Sequence, residues 1–191
     1  MKVNEIFYSI QGEGYRAGEA SIFIRLSNCD LSCGFCDTEF ESGHELSNDE
    51  LLVKIQKYPC GWIVWTGGEP TLQLKESHVE YFRGKGYLQA IETNGNNRAP
   101  KGLDWVAVSP KVAEHVVAKN FPDGVDELRY VRHANHLAVP EPKVEAKHYY
   151  LSPLFDGNGM NKENVQKCVD LVTENSKWKL SLQSHKLLNV L

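Results

Sequence analysis

The stretch Ser21-Ile22-Phe23-Ile24-Arg25-Leu26-Ser27-Asn28-Cys29-Asp30-Leu31-Ser32-Cys33-Gly34-Phe35-Cys36 carries the most information in this chain. Its first six residues alternate around β-branched and aromatic side chains and predict a strand. The chain then presents Cys29, Cys33 and Cys36 at the spacing C-x3-C-x2-C. A strand that runs directly into a ligand-rich loop puts that loop at one edge of a sheet. Parallel α/β sheets bind their ligands at the carboxyl edge.

The alternation of strand and helix continues downstream. Ser47 and Glu50 make a capping-box pair that opens a helix through Leu51, Leu52, Ile55 and Gln56. Residues 61–66 read as a buried strand ending at Gly67-Gly68, and a helix over residues 73–83 is stopped by Gly84 and Gly86. Strand candidates follow at 88–92, 105–109, 127–131, 148–151 and 179–183, with a helix over 161–173 between the last two. This order predicts an α/β fold of about six mainly parallel strands and about three long helices. A closed (β/α)8 barrel takes roughly 250 residues. The 191 residues here therefore predict a partial, open (β/α) barrel, and with no repeat or linker they predict a single domain over 1–191.

With 21 Lys+Arg against 25 Asp+Glu, the formal net charge is −4. Mild acidity argues against broad binding to nucleic acid or to an anionic membrane. The longest uncharged run, residues 58–68, falls short of the roughly 18 to 20 apolar residues of a membrane span. The start, Met1-Lys2-Val3-Asn4-Glu5, lacks the apolar stretch of a secretory signal. A cytoplasmic protein with reduced thiols is expected, and its five cysteines make a poor disulfide framework. Cys60 and Cys168 read as small apolar residues. His115, His133 and His136 show no ligand spacing.

Three readings of the crowded cysteines stand side by side. Zinc prefers four protein ligands, and His44 would have to complete a Cys3His site. Three thiolates can instead hold three irons of a 4Fe–4S cube and leave the fourth iron open, because soft thiolates suit such clusters. Structural thiols are the third reading. Polar groups recur where the strands end, at Thr66-Gly67-Gly68-Glu69, Glu92-Thr93-Asn94-Gly95, Ser109-Pro110-Lys111 and Ser152-Pro153. Each alone reads as a turn, but a parallel sheet would bring all four to one pocket.

At these residues the chain resembles the radical S-adenosylmethionine (SAM) superfamily. Cys29, Cys33, Phe35 and Cys36 match its C-x3-C-x-aromatic-C hallmark, and Gly67-Gly68-Glu69-Pro70 matches its GGEP motif. The resemblance implies that the open iron chelates SAM. Glu69 would accept from the SAM ammonium, while the glycines allow close backbone approach. Phe35, Gly68, Ser109, Pro110, Lys111, Ser152, Pro153, Leu154 and Phe155 are the other SAM-side positions it implies. Ser152 departs from the pattern, since relatives often carry Gln there.

The two ends of the chain narrow the resemblance. Tyr8-Ser9-Ile10-Gln11-Gly12-Glu13-Gly14, then Arg25, then Cys36-Asp37-Thr38, and finally Gln183-Ser184-His185-Lys186, are similar to the 7-carboxy-7-deazaguanine synthase family. The resemblance covers residues 6–191. It implies conversion of 6-carboxy-5,6,7,8-tetrahydropterin to 7-carboxy-7-deazaguanine, a step toward queuosine and related 7-deazapurines. A deoxyadenosyl radical from SAM abstracts hydrogen from C6, and the ring contracts with loss of ammonia. Ile10, Gln11, Gly12, Glu13, Thr66 and His185 would meet the pterin, and Arg25 its carboxylate. Glu92 would be the catalytic carboxylate, Thr38 a Mg²⁺ ligand, and the terminal carboxylate of Leu191 a clamp on the guanidine-like edge. An electron donor such as flavodoxin or ferredoxin and a homodimer are implied partners. The alternatives are a glycyl-radical enzyme activating protein, which shares the cysteine spacing and GGEP, and a non-enzymatic metal-binding module.

Overall fold

The computed structural model describes all residues except Phe35, Asp37, Gly157, Asn158 and Leu191, and it describes Asp156 by its backbone alone. In chain order the elements are β1 (Lys2–Ile10), β2 (Ala20–Leu26), β3 (His44–Glu45), α1 (Asn48–Ile55), β4 (Trp62–Gly67), α2 (Glu76–Gly84), β5 (Leu88–Thr93), β6 (Trp105–Val108), α3 (Glu114–Asn120), β7 (Val125–Arg132), β8 (Ala146–Pro153), β9 (Phe155–Asp156), β10 (Gly159–Met160), α4 (Lys162–Glu174), β11 (Trp178–Leu180) and α5 (Ser184–Leu188). A single turn of 3₁₀ helix, Pro70–Leu72, follows β4.

One sheet carries the fold, with strand order β11-β8-β7-β6-β5-β4-β2-β1-β3. From β2 to β11 every neighbouring pair is parallel, and β1 and β3 add antiparallel at one end. The sheet therefore has nine strands where about six were expected. The two antiparallel strands escape a strand–helix alternation count because hairpin-type pairing needs no crossover helix. The last parallel strand is Trp178–Leu180 rather than 179–183, and the chain leaves it for the short α5. α1, α2 and α4 occupy the expected places, and α1 has the capping box read from Ser47 and Glu50.

Alternation along the strands separates two outer cores from an inner one. Ile22, Ile24 and Leu26 of β2, Ile63 and Trp65 of β4 and Ile91 of β5 pack with Leu51, Ile55, Val79 and Phe82 of α1 and α2. Leu128 and Tyr130 of β7 and Tyr149 and Leu151 of β8 pack with Val117, Cys168 and Leu171 of α3 and α4. The opposite face puts Phe7, Phe23, Val64 and Ala90, with Trp62 and Trp105, into a third cluster inside the curve of the sheet. The next residues along the same face, Arg25, Thr66, Glu92, Arg129 and Ser152, are polar and line a cavity.

The barrel remains open as a sheet, and the loop of residues 11–19 spans the gap. Gly14 donates its N–H to Ser181 Oγ at 2.9 Å, Tyr15 donates its N–H to Glu127 Oε2 at 2.9 Å, and Ser184 donates its N–H to Gly12 O at 3.0 Å. The Tyr15 ring stacks on His148 and Trp105, with centroids 4.1 and 5.2 Å apart. Loop 11–19 thus ties β1 and β2 to β7, β8 and the chain beyond β11. Among the described residues no helix is long and apolar enough to cross a membrane.

Candidate active site

The carboxyl ends of the parallel strands surround a cavity of about 630 Å³. That volume suits a cofactor and a small substrate together. Cys29, Cys33, Cys36 and Thr38 contribute to its lining from the loop after β2. Arg25, Thr66, Glu92 and Ser152 contribute from strand ends, as does Ile10 at the end of β1, and Gln11, Gly12 and Glu13 from the gap-spanning loop. Gly68, Ser109, Lys111, Pro153, Leu154, Phe155 and His185 complete the expected residues around it. Glu69 and Pro110 stand outside the lining. The expectations for Phe35 and Leu191 fall outside the described residues.

Chain reversal at the loop after β2 begins with Asn28, whose φ of 71° is a left-handed conformation rare outside glycine. The thiol loop then closes a turn, with the Cys36 N–H on Cys33 O at 3.1 Å. Against it lies the Gly67-Gly68 turn. A Cβ at Gly67 would stand 2.1 Å from Leu26 O, and one at Gly68 would stand 1.9 Å from Asn28 O. The glycines therefore admit the backbone of the thiol loop itself, in addition to any ligand. Burial raises the Cys29 thiol, with Asp30, Glu69 and Cys33 adding to the rise.

The three sulfurs share one cavity wall on a loop whose backbone is braced by a side-chain-free turn, and this donor set fits an iron–sulfur cube. Among the described residues no three His, Cys, Asp or Glu side chains converge on a single-ion position. A cube takes its thiolates on separate irons and does not require such convergence.

Glu69 is fully buried. Its Oε1 accepts from Thr71 N–H at 3.0 Å, Thr71 Oγ1 at 2.6 Å and Thr93 Oγ1 at 2.8 Å, while Oε2 accepts from Asn94 N–H at 2.8 Å. Burial nonetheless pushes its carboxyl upward. Both carboxylate oxygens therefore have protein donors from the strand-end turns. Gly67 and Gly68 hold the turn against the end of β2 and the start of the thiol loop, and the side chain that follows them bonds to Thr71, Thr93 and Asn94.

A cluster of charge at the inner face adds Glu127 and Arg129, which the sequence reading missed, to the expected Glu13 and Glu92. Arg129 of β7 bonds to Glu92 Oε2, donates to Glu127 Oε1 at 2.7 Å, and has its Nε 3.8 Å from Glu13 Oε1. Gln11 Nε2 donates to Glu92 Oε1 at 3.0 Å. Three carboxylates share one guanidinium. Burial first, then the charges of Glu127 and Glu13, raise Glu92 to about 7 against the pull of Arg129. The available signal was Glu127-Leu128-Arg129-Tyr130, in which charged residues alternate with apolar ones along a strand enclosed on both faces.

The other expected residues have defined settings. Arg25 Nε pairs with Glu5 Oε2 at 3.3 Å. Lys111 Nζ donates to Ser109 Oγ at 2.6 Å, and burial, followed by Arg129, lowers its ammonium. Ser152 is buried and donates to Glu13 Oε1 at 3.3 Å, so the residue that departs from the common pattern braces the gap-spanning loop. His185 packs against Gly12, where a Cβ would lie 1.9 Å from its Nδ1. Gln183, Lys186 and Val190 also line the cavity. Cys168 is buried in an outer core, and burial pushes its thiol up to about 11.

An open parallel barrel whose first inner strand ends in three thiols beside a Gly-Gly-Glu-Pro turn defines the radical SAM class. No family model matches the chain. It is 38% identical to the 7-carboxy-7-deazaguanine synthase of Bacteroides thetaiotaomicron, with 99% of this chain and 98% of that protein covered. It is also 38% identical to the enzyme of that name from Haemophilus influenzae, over 97% of this chain and 92% of the other. The crystal structure of QueE from Escherichia coli shares the fold, with a TM-score of 0.74 and 24% identity, covering 96% of this chain and 94% of that one. The chain belongs to the 7-carboxy-7-deazaguanine synthase family, radical SAM lyases of queuosine-type biosynthesis. That membership sets aside the glycyl-radical activating and metal-module alternatives.

Proposed function

We propose that this chain, acting as one domain over 1–191, converts 6-carboxy-5,6,7,8-tetrahydropterin to 7-carboxy-7-deazaguanine with loss of ammonia. The observation that carries this reading is convergence: Gln11, Glu13, Glu92 and His185, from the two ends and the middle of the sequence, line one cavity with the three cysteines. When bound to Cys29, Cys33 and Cys36, a 4Fe–4S cluster supplies, together with SAM, the radical that starts the reaction.

The chain's own residues orient the substrate and handle its protons. Arg25 is the cation for a substrate carboxylate, since it lines the cavity and, among the described residues, its ion pair is with the exposed Glu5. Gln11, Glu13 and the backbone of Ile10 and Gly12 offer the donor–acceptor pattern that an aminopyrimidinone edge requires. Thr66 and His185 flank the same ligand, and the terminal carboxylate of Leu191 is its further acceptor. Glu92, raised to about 7, can hold or release a proton near neutrality at the carbon that loses hydrogen. Ser109, Lys111, Pro110, Ser152, Pro153, Leu154, Phe155, Gly68 and Phe35 form the SAM side, with Glu69 as acceptor for the SAM ammonium. Thr38 offers one hydroxyl to Mg²⁺, a hard ion that keeps most of its waters and takes the substrate carboxylate as a further ligand. A flavodoxin- or ferredoxin-type donor, a homodimer and a reducing cytoplasm belong to the same reading.

Anaerobic reconstitution followed by SAM, a reductant and the carboxytetrahydropterin tests it by mass spectrometry. Loss of ammonia and appearance of the deazapurine are expected. Deoxyadenosine without deazapurine would assign a different radical reaction.

A further inference from the structure

Asp30 follows the first cysteine of the thiol loop, and three side-chain amides hold its carboxylate. Asn94 Nδ2 donates to Oδ1 at 2.9 Å, and Asn96 and Asn97 Nδ2 donate to Oδ2 at 2.9 and 2.6 Å. All three amides belong to the turn after β5. That turn is itself pinned: the Asn94 N–H sits on Glu69 Oε2 at 2.8 Å, and Asn94 Oδ1 accepts the Asn96 N–H at 2.8 Å. Glu69 donates its own N–H to Asn28 O at 2.8 Å. The bonds form a closed ring from the thiol loop to the turn after β5, on to the Gly67-Gly68-Glu69 turn and back to the thiol loop.

Apolar packing does little for this loop. Among the described residues from 28 to 36 none is buried. Side-chain bonds to a charged acceptor are then the strongest available tie between the loop and the rigid strand ends.

We propose that Asp30 is a positioning residue, a latch that fixes the thiol loop against the strand-end turns and so sets the spacing of the three sulfurs. The inference rests on reading Cys29, Cys33 and Cys36 as the cluster ligands. Glu69 belongs to the same device through its N–H on Asn28 O and its Oε2 on the Asn94 N–H. Preorganised ligands hold a metal group with less loop ordering at the moment of binding, and the partners of the ligand loop tune the group itself.

The test uses anaerobically reconstituted full-length wild type, Asp30→Ala and Asp30→Asn. Visible absorbance follows cluster loss to an iron chelator, and electron paramagnetic resonance follows the reduced cluster before and after SAM. Asp30→Ala should lose its cluster roughly ten-fold faster, with a changed response of the signal to SAM, while its thermal midpoint stays at the wild-type value. Asp30→Asn should fall between the two, because its amide oxygen still accepts while its NH₂ faces donors. An Asn96→Ala/Asn97→Ala chain should approach the Asp30→Ala rate. Wild-type loss rate and spectrum in Asp30→Ala would overturn the latch alone. A lowered thermal midpoint with an unchanged spectrum would overturn it too, as a merely structural role. Wild type that takes up no cluster would overturn the ligand reading and the latch together.

Discussion

Glu92 illustrates how a single side chain acquires its chemistry from neighbours distant in sequence. Two other glutamates and one arginine enclose it, and Gln11 and Arg129 each hold one of its oxygens. Its carboxyl lies at 4.5 when unperturbed and at about 7 in the fold. The folded state therefore binds the proton more tightly than the unfolded state does. Glu92's contribution is most favourable below its unfolded value and is lost as pH rises through the folded one. Relative to Glu92→Gln, wild type should lose about 3 kcal/mol between these pH values and change little above them. Urea unfolding of both chains at a series of pH values measures this; a difference that rises with pH would contradict the assignment. The same variant should reduce turnover roughly 100-fold while leaving SAM binding intact.

Glycines set the close approaches between elements. Gly14 has φ of 70°, and a Cβ there would stand 2.0 Å from Glu127 Oε1, a carboxylate already committed to Tyr15 and Arg129. Gly18 in the same loop has φ of 90° and open space around it. Gly18→Ala should thus cost only the left-handed backbone term, about 1 kcal/mol, whereas Gly14→Ala should cost about 3 kcal/mol because the Glu127–Arg129 pair must also move. Chemical denaturation of the two variants separates these terms, and equal losses would remove the packing role assigned to Gly14. The parallel strands and α1, α2 and α4 were legible from periodicity because both outer cores draw on strictly alternating or helical apolar positions. β1 and β3 were not, since an antiparallel edge with exposed residues leaves a weak pattern.

For the molecule as a whole, the sheet supplies the cavity and the ends of the chain close it. Loop 11–19 crosses the gap, and α5 docks on Gly12. α5 has no buried residue, so it adds little to the stability of the fold. A chain ending after Gln183 should keep its thermal midpoint to within about 1 kcal/mol of stability. Its KM for the pterin should rise at least roughly ten-fold, since His185, Lys186 and Val190 would leave the cavity lining. Steady-state kinetics beside a melting curve distinguishes the two effects, and an unchanged KM would remove the tail from substrate binding.

The strand–helix alternation is a local feature and was enough to reach the open barrel, while the cysteine spacing and the Gly-Gly-Glu-Pro turn carried the resemblance that implied the radical SAM class and most residues around the cavity. Contacts between segments far apart in the chain leave no such periodic trace. Arg129 joining Glu13, Glu92 and Glu127, the bond from Asn94 to the buried Glu69 and the grip of three asparagines on Asp30 exist only once the strand ends are side by side. Local pattern encodes which face a residue presents, while the partner it meets there is set by the register and curvature of the folded sheet.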